Sequence, residues 1–196
     1  MVKTVCQAVY NSYKLQEDEI MKRKIDIREY GNQIIQAIPR GVLLNSKAEK
    51  FNSMVIGWGG IGTNWSLPVF TVYVREGRFT RQQLDENPEF TISIPVNGVN
   101  TKIARVCGSK SGRNIDKVAE AGLTLEDPET NSVPGIREYP LTLECRVIYR
   151  QEQKLDLYSE KAMKFYPQDV GSENTGANKD QHVMYIGEIV DAYIIE

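Results

Sequence analysis

The spacing of hydrophobic and polar positions divides the chain into regions of different period. Residues 1–24 are polar and mixed, with a weak helical period, and predict an arm or peripheral element. Asp26 and Glu29 then form a D-x-x-E capping pattern. Behind it "REYGNQIIQAI" sets Ile34, Ile35 and Ile38 on one stripe, which predicts a short helix ended by Pro39-Arg40-Gly41. From Gly41 onward the strand signal dominates. "GVLLNS" (41–46), "NSMVIGW" (52–58), "VFTVYVR" (69–75), "FTISIPV" (90–96), "LTLECRVIYRQEQK" (141–154) and "HVMYIGEIVDAYII" (182–195) read as strands. Helices enter only as short inserts. "TRQQLDEN" (80–87) opens with a T-x-x-Q capping box and stops before Pro88, and "NIDKVAEAG" (114–122) runs from Asn114 to Gly122. The stretch "PQDVGSENTGANKDQ" (167–181) has the composition of a loop.

Strands outnumber helices and no strand–helix–strand alternation is sustained. The expected fold is therefore mainly β, a closed or nearly closed antiparallel barrel with short peripheral helices. A length of 196 residues suits one domain, taken as residues 25–196, with residues 1–24 as the arm.

Composition narrows the function. Apolar residues are 41% and charged residues 26%, ordinary for a soluble protein. A formal charge of −2 offers no general attraction to nucleic acid or an anionic membrane, so any anion site must be built locally. No apolar run approaches the roughly 20 residues of a membrane span, and the N-terminus lacks the apolar core of a signal peptide. Cys6, Cys107 and Cys145 are scattered, odd in number and free of any C-x-x-C pair, which fits a reducing cytoplasm and argues against zinc. A single histidine, His182, argues against a histidine-rich metal centre.

Within "NSMVIGWGGIGTNW" (52–65), Gly57, Gly59 and Gly62 spell the G-x-G-x-x-G of dinucleotide-binding folds. That fingerprint needs a helix directly behind it, whose N–H groups face the pyrophosphate. Here Thr63-Asn64-Trp65-Ser66-Leu67-Pro68 lead into a strand. The glycines are read instead as a wide turn between strands, whose bare main chain lets a flat ligand lie close.

A better anion site lies in "VREGRFTRQQL". Arg75 ends a strand, Arg78 follows three residues later, and Thr80 is expected to cap the helix from 80 to 87. A helix N-terminus with two guanidiniums beside it can grip phosphate oxygens. The alternative is that both arginines are solvated, or paired with Glu76 and Asp85. "GSKSGRNIDK" (108–117) fails the G-x-x-x-x-G-K-[ST] pattern and reads as a polar loop able to wall a pocket formed elsewhere.

Taken in order, "NSMVIGWG", "WSLPVF", "VREGRFT", "EFTISIP", "CGSKSGRNIDK" and "HVMYIGEIVDA" resemble the flavin reductase-like, FMN-binding split-barrel family, in its flavoredoxin-like branch. The resemblance covers about residues 28–195. Two positions depart from it: Val55 where the family usually has Thr, and Ser93 where it usually has Asn. The resemblance implies a six-stranded antiparallel split β-barrel, a homodimer, and FMN near the interface. It implies that Asn52, Met54, Gly57, Trp58 and Gly59 line the isoalloxazine and ribityl side, with Trp65, Ser66 and Pro68 shaping the adjoining loop. Arg75, Arg78 and Thr80 would hold the phosphate. Ser109, Lys110, Gly112, Asp116 and Lys117 would contact the flavin or its neighbour, across the dimer.

The activity implied is an FMN-dependent oxidoreductase that carries electrons from NADH or NADPH to free flavin, ferric iron or another acceptor. The alternatives are an electron carrier reduced by a redox protein partner and a non-catalytic flavin-binding module. His182 is either a packing residue ahead of a buried strand or, with an ordinary pKa of roughly 6.5, a proton-transfer or orienting group beside the flavin. The loop at 167–181 would close over a hydride donor. Trp58 and Trp65 either stack on the flavin or fill a core or interface, and Cys107 is read as a buried, inert thiol.

Overall fold

A computed structural model describes residues 21–171 and 179–196. Most of the N-terminal arm, Cys6 and the middle of the 167–181 loop lie outside these. The described chain runs β1 (Lys22–Lys24), α1 (Ile27–Ala37), a 3-10 turn (Ile38–Arg40), β2 (Val42–Lys47), β3 (Phe51–Ile56), β4 (Gly60–Asn64), β5 (Leu67–Arg75) and α2 (Phe79–Glu86). It continues with β6 (Glu89–Ile94), α3 (Thr101–Ser109), α4 (Lys117–Ala121), β7 (Leu125–Glu126), β8 (Gly135–Ile136), β9 (Leu141–Glu152), α5 (Glu160–Met163) and β10 (His182–Ile195).

All six expected strands form, as β2, β3, β5, β6, β9 and β10. They join β1 and β4 in one eight-stranded antiparallel sheet of order β3-β2-β6-β9-β10-β5-β4, with β1 on the C-terminal half of β10. The two additions have plain causes. The glycine-rich stretch read as a wide turn contains a strand, because Gly60 and Gly62 pair with Thr71 and Val69 of β5. The reversal falls on Trp65 and Ser66, at φ 48° and 65°. Two left-handed residues make the hairpin turn whose twist matches the flanking strands, here without glycine. β1 replaces the helical tendency expected just before Ile25, since its backbone groups pair with β10 at Lys22–Ile195.

Helix starts differ in detail. Asp26 caps α1 as expected, accepting from Arg28 N. In α2 the cap position is Arg78, so Thr80 sits inside the first turn and does not cap. Asp116 rather than Asn114 caps α4, because its carboxylate reaches the Val118 and Ala119 amides. Helix α3 was not expected; Asn100 caps it, and Ile103, Val106 and Cys107 form its buried stripe.

Successive β2 side chains point to opposite faces and both faces are buried. Leu44 faces the barrel interior with Phe70, Val72, Phe90, Ile92, Leu143 and Tyr185, closed at one end by Ile34 and Ile38. Leu43 faces a second cluster with Ile103, Val106, Cys107 and Tyr139. This outer cluster seats α3 and α4 against β3, and their connecting loop stands over the strand-to-helix corner at Arg75–Thr80.

Candidate functional site

A cavity of about 1050 Å³ opens where β3, the end of β5, the start of α2, the α3–α4 loop and the start of β10 converge. That is at the upper end of the range for small-molecule pockets. Arg75, Arg78, Lys110, Arg113 and Lys117 line it, and no Asp or Glu does among the described residues. In a chain of net charge −2 this is the local concentration of positive charge that an anion site requires.

The cations differ in commitment. Arg75 donates to the Asp180 carbonyl at 2.6 Å, lies 3.6 Å from its carboxylate and stacks over the Tyr166 ring at 5.0 Å. Its partner is thus Asp180, 105 residues away, and neither Glu76 nor Asp85. Asp85 is taken by Arg81 at 2.7 Å and Arg150 at 3.1 Å. Lys110 pairs with Glu120 at the rim. Arg113 donates to the Gly77 carbonyl at 2.9 Å and lies over Phe79. Arg78 makes no ion pair among the described residues and stands at the N-terminus of α2, where backbone N–H groups lack helical partners.

Lys117 is buried, and its ammonium donates to the Ser53 carbonyl at 2.7 Å and the Cys107 carbonyl at 3.2 Å. Desolvation, with a smaller push from Arg78, lowers its pKa to about 8. Burial outweighs that ammonium at Cys107 and raises the thiol, so Cys107 is the inert residue expected. Opposite, Asn52 donates to Thr80 Oγ1 at 2.8 Å while its Oδ1 is buried with no partner. Any side chain at Gly112 would collide with that oxygen, so the glycine is what lets the α3–α4 loop close on the wall. Val55 sets one methyl towards Gly108 of α3 and the other towards Gly41, and it lines the cavity, whereas Ser93 Oγ accepts from Asn45 Nδ2 at 2.9 Å inside the fold. The first family departure therefore puts a methyl where a hydroxyl would stand at the cavity wall, and the second lies away from the cavity.

His182 begins β10 opposite Arg75 and lines the cavity. Its Nδ1 is 2.5 Å from the Tyr166 hydroxyl, and its ring meets Trp58 edge-on at 5.7 Å. Burial first, then Arg75 and Arg78 against the pull of Asp180, lower its pKa to about 4. The ring is neutral at pH 7, which corrects the expectation of an ordinary value suited to proton transfer. Above roughly pH 6.5 it is neutral folded and unfolded alike, and its contribution to stability is fully present. Between there and about pH 4 only the unfolded chain takes up the proton, so that contribution is lost as pH falls. Denaturant titrations at pH 7 and about pH 5.5 should show His182→Gln losing less stability than the native chain, by about 1 kcal/mol. Parallel losses would show that the ring titrates normally.

Of the residues expected at the site, Asn52, Met54, Gly57, Trp58, Arg75, Arg78, Thr80, Ser109, Lys110, Gly112, Lys117 and His182 line this one cavity. Five do not. Gly59 lies along a smaller groove on β4, with φ 136° and the Thr71 carbonyl where a Cβ would sit. Trp65 and Ser66 form the hairpin tip, with Pro68 at the base of β5. Asp116 spends its carboxylate on capping α4. Trp58 and Trp65 are 58% and 73% exposed, so neither fills the core. Arg113 lines the cavity from the polar loop expected to wall a pocket. Tyr73, Phe79 and Tyr166 were missed: Phe79 stands inside the arginine corner, whereas nothing local singles out Tyr166.

Among the described residues no helix is long and apolar enough to cross a membrane, and no group of three or more His, Cys, Asp or Glu side chains is placed to hold a metal. An open antiparallel barrel whose cavity is cationic, with no Asp or Glu in its lining among the described residues, has the chemistry to hold an anionic small molecule. Residues 36–196 match the flavin reductase like domain, and the chain belongs to that family of flavoproteins. A flavoredoxin from Methanosarcina acetivorans is 26% identical, superposes with a TM-score of 0.59, and is matched over 79% of this chain and 68% of its own. The split-barrel fold is shared with a protein of Shewanella frigidimarina at 16% identity and TM-score 0.59, over 87% of this chain and 75% of that one. An uncharacterised protein of Archaeoglobus fulgidus is 29% identical over 113 residues, which are 58% of this chain and 63% of that relative. The match thus spans less than two thirds of that relative's length.

Proposed function

We propose that this chain is an FMN-binding oxidoreductase that takes electrons from NADH or NADPH and passes them to free flavin, ferric iron or another acceptor. The observation that carries the reading is the cavity lined, among the described residues, by five cations and no carboxylate, set at the start of a helix beside bare main chain. Arg78, with the first amides of α2, takes the phosphate, and Lys117 and Arg113 complete the positive wall. The unpartnered Asn52 Oδ1 takes a ribityl hydroxyl, which removes the cost of leaving a buried acceptor unpaired. Met54, Val55, Gly57 and Trp58 give the apolar surface for the ring. The flavin itself supplies the hydride and electron chemistry, so no nucleophile–base pair is needed.

The reading includes a homodimer in the cytoplasm, with residues 25–196 as the flavin domain and residues 1–24 as an arm. The exposed β4–β5 hairpin, carrying Trp65, supports a second copy at that end. Across such an interface Gly59, Trp65, Ser66 and Pro68 would serve the partner's cavity.

Likeness to a flavoredoxin favours a second reading, an electron carrier reduced by a redox protein. Anaerobic mixing of the FMN-loaded protein decides between them. Bleaching of the yellow absorbance within seconds by NADH or NADPH is the expected result. Bleaching only by a reduced ferredoxin-type protein would establish the carrier, and no bleaching by either would leave a flavin-binding module.

A further inference from the structure

We propose that Tyr166 is a positioning residue that holds His182 as its Nε2–H tautomer, making the ring a fixed hydrogen-bond donor to the cavity and not a proton shuttle. Tyr166 lies between α5 and β10, and its hydroxyl approaches Nδ1 at 2.5 Å, with the rings 5.6 Å apart and nearly perpendicular at 85°. Two arrangements satisfy that contact: the phenol donates to Nδ1, or an Nδ1–H donates to the phenol oxygen. A phenol O–H is the more acidic donor and an unprotonated imidazole nitrogen the stronger acceptor, so the first arrangement is favoured.

The surroundings act in the same direction. Burial holds the Tyr166 phenol well above its ordinary value, so it keeps its proton to donate, and Arg75 lies over its ring at 5.0 Å. Tyr158, whose ring is 5.4 Å away, packs against the Tyr166 ring and holds it in place. The charged groups that bear on the imidazole are Arg75 at the end of β5, Arg78 before α2 and Asp180 before β10. Two cations against one anion resist a second ring proton. With Nδ1 occupied as an acceptor, the proton sits on Nε2, on the ring edge opposite Tyr166. Trp58 meets the ring edge-on at 5.7 Å from another side.

The tautomer rests on this geometry alone, while its use, as a donor to a polar group of the electron donor or acceptor, rests on the flavoprotein reading above. The two fail separately. Because the chain has one histidine, tag-free ¹⁵N-labelled protein gives a single imidazole in the NMR spectrum. Expected is a pyridine-type Nδ1 and a pyrrole-type Nε2 throughout about pH 5 to 8, with Tyr166→Phe shifting the ring towards a tautomer mixture. A pyrrole-type Nδ1 in the native chain, or unchanged shifts in Tyr166→Phe, would overturn the proposal. In the FMN-loaded protein, Tyr166→Phe should slow reduction about tenfold at unchanged flavin retention, the scale of one ordinary hydrogen bond. His182→Gln, which keeps a donor N–H and cannot titrate, should retain more of that rate than His182→Phe; equal loss in both would count against a donor role.

Discussion

Arg78→Ala is expected to weaken FMN binding by about 2 kcal/mol, roughly thirtyfold in Kd, in a fluorescence titration. Five cations line the cavity, yet they are not equivalent. Arg75 is held by Asp180 and Lys110 by Glu120, so part of their field is already neutralised. Lys117 gives two of its hydrogen bonds to carbonyls of its own wall. Arg78 is the guanidinium beside the α2 amides without a carboxylate partner among the described residues, so none of these neutralises its charge. Its removal should leave stability nearly unchanged, because it anchors nothing else that the structure describes. The matching substitution at Lys110 should have a smaller effect, since Glu120 competes for the ammonium. An unchanged Kd in Arg78→Ala would place the phosphate elsewhere and remove the main support for the flavin reading.

Glu144→Ala is expected to lower folding stability by about 4 kcal/mol, seen as a lower guanidinium midpoint with an unchanged slope. The Glu144 carboxylate is fully buried in β9 and accepts three backbone N–H groups, from Glu129 at 2.6 Å and from Thr130 and Asn131 at 2.8 Å. Hydrogen bonds to a charged acceptor contribute about 1.5–3 kcal/mol each at most, and the loss of all three is partly offset by water entering. Against a typical total of 5–15 kcal/mol, the variant would be marginal. None of these groups lines the cavity, so the folded fraction should bind FMN as before. A small shift in midpoint would mean that the 129–131 amides find other acceptors.

The strands were legible because they carry many β-branched and aromatic side chains, and because a period of two needs only neighbours in sequence. β4 escaped that logic. Its pattern, "GIGTN", has too few side chains to signal a strand, and only pairing with β5 makes it one. Helix α3 carried a readable signal, Asn100 as cap and the stripe of Ile103, Val106 and Cys107, yet it is short and runs straight into the polar "GSKSGRN", so it was not expected. Thr80 illustrates the opposite case. A hydroxyl just ahead of "RQQ" reads as a cap, yet the cap falls two residues sooner, on Arg78, and the hydroxyl faces Asn52 from β3.

Sequence alone determined the strand-rich class, the short helices, and the arginine-rich corner between β5 and α2, because each depends on residues a few positions apart. Tertiary structure decided which of those charges stay available and which way the histidine is held. Asp180 reaches Arg75 across 105 positions, and Tyr166 reaches His182 across 16. Burial then shifts Lys117 and His182 away from their ordinary protonation behaviour. Desolvation and long-range pairing belong to the packed molecule, and no local pattern of residue types encodes them.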